Sequence, residues 1–200
     1  MRTEVYSPEM TLREARALLF ARSGFAPDGG YNDRWVKVQM GRIPFYFPNT
    51  RGRRYAVQFH DVHHVLTEYP TNWRGETEIG AWEVSTGLCH HWEGWLLDLL
   101  AFAIGLVINP RGVYRAFLRG RRSRNLYGTE WREELLGRRV GELRRALRLD
   151  ADEGRATAAD NRAFCFWAAA SVFTYFAVGF ALLSPLIVGA IVLLWLGGAF

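Results

Sequence analysis

Three of the chain's five histidines fall within five consecutive residues, His60-Asp61-Val62-His63-His64, and a carboxylate, Glu76, follows after eleven intervening positions. His60 and His64 are four apart, so on a helix both imidazoles project from one face and can reach a single ion, as in zinc helices that carry two histidines at this spacing. Asp61 stands where those helices have a glutamate. Its shorter side chain suits a ligand, or a carboxylate that orients one, better than a base reaching over a metal. The ligand set read from the sequence is therefore His60, Asp61, His64 and Glu76. Nitrogen and oxygen donors in this mix suit a divalent zinc, iron or manganese ion. His63 points away from His60 and reads as structural, and Cys89-His90-His91 reads as an interfacial cluster rather than a second ion site.

These donors need two helices to hold them. Asn49 or Thr50 can cap a helix over 51–68, the run Tyr69-Pro70-Thr71-Asn72-Trp73-Arg74-Gly75 breaks it, and a second helix is expected over 76–90. A short break between helices makes them antiparallel neighbours. His64 then stands about 6 Å before the end of the first helix, from four residues of rise, and the Glu76 side chain closes that gap. Glu76, Gly80, Glu83, Gly87 and His90 or His91 share one face of the second helix, with the glycines expected to leave open space. His60 comes level with Glu83, which becomes a fifth ligand, an outer partner of a ligand, or a general base. Asp61 and Glu83 are the candidate catalytic carboxylates.

Around this pair, Thr11 and Glu14 form a capping box for a helix over 12–22, ended by Gly24. Residues 35–40 alternate as a strand, Gly41-Arg42 can turn the chain, and 43–47 returns as an edge strand because of Pro44. Residues 95–108 are apolar apart from Asp98 and predict a buried or shallowly inserted helix. An Arg-rich helix is expected over 111–124, and another over 129–148 with Leu135, Leu136, Val140, Leu143 and Leu147 as its apolar stripe.

From Ala163 to Phe200 no residue is charged. A single helix of that length would run about 57 Å, nearly twice the roughly 30 Å hydrocarbon core. With Ser184-Pro185 near its middle, the segment predicts a hairpin of helices over 163–183 and 186–200, which keeps Phe200 on the cytoplasmic side; the alternative is one bent, partly re-entrant helix. Net charge is +5. The basic residues crowd at Arg111, Arg115, Arg119, Arg121, Arg122 and Arg124, as in a segment at a membrane surface. Arg155 and Arg162 before the tail place the soluble part in the cytoplasm. No nucleic-acid recognition motif accompanies the charge, and two cysteines, Cys89 and Cys165, fit a reducing compartment. Trp73, Trp82, Trp92 and Trp95 fit an interfacial belt or an aromatic-lined pocket.

The pattern His60-Asp61-x-x-His64-x11-Glu76 resembles the signature of the coenzyme Q biosynthesis family whose eukaryotic member is the fourth protein of the Coq series. The local text agrees at His63-His64-Val65-Leu66-Thr67, Pro70 and Gly75-Glu76. Further on, Arg121-Arg122, Tyr127, Trp131 and Glu142-Leu143-Arg144-x-x-Leu147 sit where that family has similar residues, so the resemblance covers about 55–148. It implies an all-helical, homodimeric protein lying against the membrane, with His60, Asp61, His64 and Glu76 as metal ligands. It also implies a prenylated quinone precursor as substrate, oxidative decarboxylation at its ring, and other biosynthetic enzymes as partners. The strand pair at 35–47 and the tail at 163–200 stand outside the resemblance.

The expected fold is mainly α. It has a helical metal-binding domain over 1–150 that includes a small N-terminal β-hairpin, a linker over 151–162, and a C-terminal transmembrane helical hairpin over 163–200. Two functions follow: a membrane-bound metalloenzyme acting on a quinone-type lipid, or a non-catalytic lipid-binding scaffold that organises biosynthetic enzymes. A membrane di-iron histidine-box enzyme needs more imidazoles than five.

Overall fold

Thr11 accepts the Glu14 amide while Glu14 accepts the Thr11 amide, and Gly24 closes the other end at φ 69, so α1 forms over Leu12–Ser23. The computed structural model describes residues 5–40, 43–150 and 155–197. Strands β1 (Trp35–Met40) and β2 (Ile43–Pro48) pair antiparallel, with Val36 opposite Phe47 and Val38 opposite Phe45. The expected Gly41-Arg42 turn lies outside the described residues. The ribbon meets the helices at its root, where the Arg53 guanidinium lies over Phe47, and Trp35, Phe45 and Tyr46 are exposed.

Helix α2 (Arg51–Thr67) starts at its Thr50 cap and stops at Glu68 in the left-handed region, two residues before Pro70. Its last carbonyls, which no helical N–H can reach, are taken by two arginines. Arg144 donates to Val65 O and Leu66 O and pairs with Glu68, and Arg119 donates to Thr67 O. Helix α3 (Trp73–Thr86) opens on an Asn72 cap, three residues earlier than the sequence predicts, and ends at Gly87. Helix α4 (Trp92–Ile108) runs antiparallel to α3, and α5 (Pro110–Arg122) follows after Asn109 alone. Glycines let α3 and α4 approach closely: a Cβ at Gly80 would stand 3.1 Å from Ala101 Cβ and 3.2 Å from Asp98 O, and one at Gly105 would stand 2.6 Å from Thr77 Cβ. Of the glycine face expected to leave open space, Gly80 is filled by α4, whereas Gly87 has no atom within 4 Å of where its Cβ would stand.

The single helix expected over 129–148 is two pieces, a 3-10 turn at Glu133–Gly137 and α6 at Val140–Ala146. The interruption has a tertiary cause. Leu12 N–H donates to Arg138 O, Val140 N–H to Met10 O and Gly141 N–H to Pro8 O, so the N-terminal segment takes the backbone groups a continuous helix would have used. The apolar stripe survives the break, with Leu136, Val140, Leu143 and Leu147 buried beside Phe59, Leu66, Trp82, Phe117 and Tyr127.

The C-terminal hairpin is not formed. Residues Ala158–Gly197 make one helix, α7, with Pro185 inside it. Proline removes the N–H that would have met Ala181 O, and Ser184 Oγ donates to that carbonyl at 3.2 Å instead. Hydroxyl replacement of this kind lets a proline sit within an apolar helix. The expected 151–162 linker is correspondingly shorter, since Thr157 caps α7 through Asp160 and the helix is under way at Ala158. The first turns of α7 pack on the body: Phe164 against Phe102 and Phe117, Trp167 stacked on Trp95. Ser171 is the last fully buried position among the described residues, and Phe173, Phe176 and Phe180 beyond it are about 70 % exposed. Among the described residues one helix is long and apolar enough to cross a membrane. Of the arginines expected at a membrane surface, Arg121 and Arg122 pair with Asp160 at the start of α7, remote from its exposed stretch.

Candidate metal centre

Helices α2 and α3 bring the expected donors together in the expected antiparallel sense: His60 meets Glu83 late in α3, and His64 meets Glu76 at its start. Asn72 explains the placement of Glu76. By accepting the Gly75 amide it starts α3 close beside the end of α2. The Nε2 atoms of His60 and His64 stand 3.1 Å apart, with Glu76 Oε2 3.3 Å from the first and Oε1 3.4 Å from the second. Donors bonded to one ion at roughly 2.0–2.2 Å, at angles between octahedral and tetrahedral, stand about 2.9–3.5 Å apart. The three side chains match that spacing.

Each imidazole is turned by a partner on its other nitrogen. His64 Nδ1–H donates to Tyr69 O at 2.8 Å, and His60 Nδ1–H donates to Glu83 Oε2 at 2.9 Å. Both Nε2 lone pairs are thereby aimed at the shared point beside Glu76, which is the outer support that metal-binding histidines usually have. His63 is excluded from that point. Leu126 N–H donates to its Nε2, and its Nδ1–H donates to Glu83 Oε1 at 2.6 Å. Glu83, fully buried, thus holds two imidazoles with its two oxygens. Burial opposes its charge, but His60 and the hydrogen bonds from His60 and His63 keep its carboxyl well below the usual range.

Asp61 departs from the predicted set. The donor groups that close on a common point are His60–His64–Glu76 and His60–Glu83–Asp98, and Asp61 is in neither. Its Oδ2 accepts the Tyr31 hydroxyl at 2.5 Å, so its placement is that of an anchor for the loop before β1.

Asp98 was missed, and a signal for it existed: it is the one charge in the apolar stretch 95–108. It is buried on α4, and its Oδ2 has no hydrogen-bond partner of the ordinary kind. Burial and the neighbouring Glu83 carboxylate hold its pKa well above the usual value. Glu83 already accepts from His60 and His63, and burial beside it favours the neutral form of Asp98, so the second donor group supports His60 rather than forming a rival site. His91 is buried too, stacked on Tyr55, while Cys89 and His90 are exposed. Trp82 belongs to the core, with Nε1–H on Ser123 Oγ.

Burial works against a charge on His60, yet Glu83 and Glu76 raise its pKa well above the ordinary imidazole value. At neutral pH a proton on His60 Nε2 occupies the point where an ion would bind, and the ion must displace it. Metal affinity is therefore expected to fall as pH drops, by about tenfold per unit below that raised pKa, with one proton released per ion. Calorimetric titration in buffers of different ionisation enthalpy measures the release; an affinity constant between about pH 6 and pH 8 would contradict it.

No protein-family model, curated protein or solved structure matches the chain.

Proposed function

We propose that this chain is a membrane-associated protein that holds one divalent ion between α2 and α3 and acts on a quinone-type lipid. The reaction is oxidative decarboxylation of a prenylated ring precursor with dioxygen as the oxidant, the ring carboxyl leaving as CO2 and a hydroxyl taking its place, in the manner of the coenzyme Q biosynthesis family whose motif it resembles. The observation that carries this reading is the convergence of His60 Nε2, His64 Nε2 and Glu76 on one point, with the far nitrogens of both rings fixed by Glu83 and Tyr69 O. A bound ion would stabilise negative charge on a ring carboxylate or phenolic oxygen. Glu76 and His60 are the partly exposed members of the set and face the approach, while His64 is buried. Leu97, Val107 and Ile108 expose apolar surface along α4, suited to a prenyl tail.

A second reading has its own support. Both oxygens of Glu83 are occupied by imidazoles and Asp61 is engaged by Tyr31, so neither expected catalytic carboxylate has an evident role as a base. On that reading the ion braces the helix pair, and the protein is a homodimeric lipid-binding scaffold that gathers biosynthetic enzymes. Incubating the metal-loaded protein in mild detergent with a prenylated, ring-carboxylated phenol under air separates the two. Loss of the carboxyl group by mass spectrometry supports the enzyme. Retained metal without turnover supports the scaffold, and lipid co-purified with the protein identifies its class.

The membrane side of the proposal has a changed topology. From Val172 to Gly197, α7 leaves the body and runs about 39 Å, enough for one crossing of a roughly 30 Å core. Phe200, outside the described residues, then follows a single crossing and not a return. A C-terminal reporter that works only outside the cytoplasm is expected to be active, and one that works only inside to be silent; the converse would restore the hairpin.

A further inference from the structure

The β1–β2 ribbon is built unlike the rest of the molecule. A lone two-stranded ribbon is marginal in water, yet this one exposes Trp35, Phe45 and Tyr46. Its side chains sort by strand alternation. One face carries Val36, Val38, Phe45 and Phe47, with the two phenylalanine rings 6.2 Å apart. The other carries Trp35, Lys37 and Tyr46. Beyond the ribbon, Asn49 N–H continues the ladder to Arg34 O. That fixes the odd-numbered residues of β2 as the ones bonded to β1, and turns the nitrogens of Pro44, Tyr46 and Pro48 outward. Two of those three carry no hydrogen. The outer edge of β2 is thus a poor template for another strand, which argues against pairing with a second copy through β2, and it leaves few donors to desolvate on that edge.

The position of the ribbon supplies the occupant. Its root is tied to the N-terminal ends of α2 and α4: Thr50 Oγ1–H donates to Glu93, and Asn49 holds Asp33 O. Helix α7 runs past the same end, since Trp167 stacks on Trp95 in the first turn of α4 and Ser171 is the last buried residue. Exposed Trp92 lies there as well. Around the ribbon and its root, exposed Arg34, Lys37 and Arg51 outnumber exposed Asp33 and half-buried Glu93. Apolar and aromatic side chains beside basic ones suit an anionic lipid surface.

We propose that the ribbon is a second membrane anchor, laying Val36, Val38, Phe45 and Phe47 into the anionic phospholipid surface of the leaflet that α7 enters. The inference rests on α7 crossing the bilayer. The ribbon stays shallow, because the outward N–H groups of Trp35, Lys37 and Tyr46 need water or headgroups for partners. With α7 it pins the body at two points and holds the end carrying Thr50 and Trp92 against the lipid.

The test uses the full chain with Cys89→Ser and Cys165→Ser, carrying a single labelled cysteine and reconstituted in phosphatidylcholine vesicles with or without phosphatidylglycerol. A polarity-sensitive fluorophore at Phe45→Cys is expected to be quenched by lipid bromines near the headgroup, several-fold more than by bromines near the chain ends. The same label at Lys37→Cys is expected to respond to aqueous iodide. Phosphatidylglycerol should strengthen the bromine quenching at Phe45→Cys. Iodide quenching alone at Phe45→Cys, or excimer formation between two pyrene-labelled copies, would overturn the proposal. Phe180→Cys keeps the two ideas apart. Deep quenching there without quenching at Phe45→Cys removes the ribbon anchor and leaves α7 as a span, whereas quenching at neither removes both. Metal content equal to that of the unlabelled chain verifies that each variant is folded.

Discussion

His64→Ala is expected to yield protein without its stoichiometric divalent ion, measured by elemental mass spectrometry after purification without chelators. His64 Nε2 is one of three donors on the shared point, and its ring is held by Tyr69 O, so no neighbouring side chain can replace it. Loss of an outer partner costs roughly 10–100-fold in metal affinity; loss of a donor costs more, which is enough to empty the site on dilution. Two controls sharpen the result. His90→Ala removes an exposed imidazole and should leave the metal content unchanged. Asp61→Asn should retain the ion, because Asp61 lies outside the converging set. A wild-type chain without stoichiometric metal, or a His64→Ala chain that keeps it, would defeat the proposed centre.

Glu83→Ala is expected to be the most destabilising single change at the site. The side chain is fully buried, and removing it strands the Nδ1–H groups of His60 and His63 together. Breaking a buried charged pair from one side costs about 3–5 kcal/mol, which for a chain of this size lowers the melting temperature by roughly 6–20 °C. Metal affinity should fall with it, since His60 loses the partner that aims its ring. Glu83→Gln keeps one acceptor and should lie between the two. A melting temperature unchanged in Glu83→Ala would mean that the two imidazoles are held by something other than this carboxylate.

The parts of this molecule that could be read from the sequence are those set by local rules. The four-residue spacing of His60 and His64, the break at Pro70 and the return of Glu76 specify two antiparallel helices and three donors, and Glu83 follows from helical rise. Asp61 shows the limit of counting residues in a motif: adjacent positions on a helix point about 100° apart, so Asp61 cannot share the face of His60 and His64, and Tyr31 takes it instead. Asp98 was visible as a lone charge in an apolar stretch, but its helix had to be placed beside α3 before its role was plain. The break at 138–139 depends on backbone groups of Pro8, Met10 and Leu12, partners distant in sequence that no periodicity reveals. At Pro185 the local rule itself was incomplete, because the preceding serine supplies the hydrogen bond that proline withholds.

The order of the elements along the chain has a consequence for biogenesis. Every donor, and the supports at Leu126 and Arg144, lies upstream of α7. As the chain leaves the ribosome from its N-terminus, the ion site can close and be loaded while α7 is still within the exit tunnel. The nascent body then waits with Trp95 and Phe102 uncovered until Trp167 and Phe164 arrive to seal them. On the proposed reading, in which α7 enters a bilayer and α2 and α3 hold an ion, metal loading should therefore precede insertion, and starving cells of metal should act on the protein before α7 is placed.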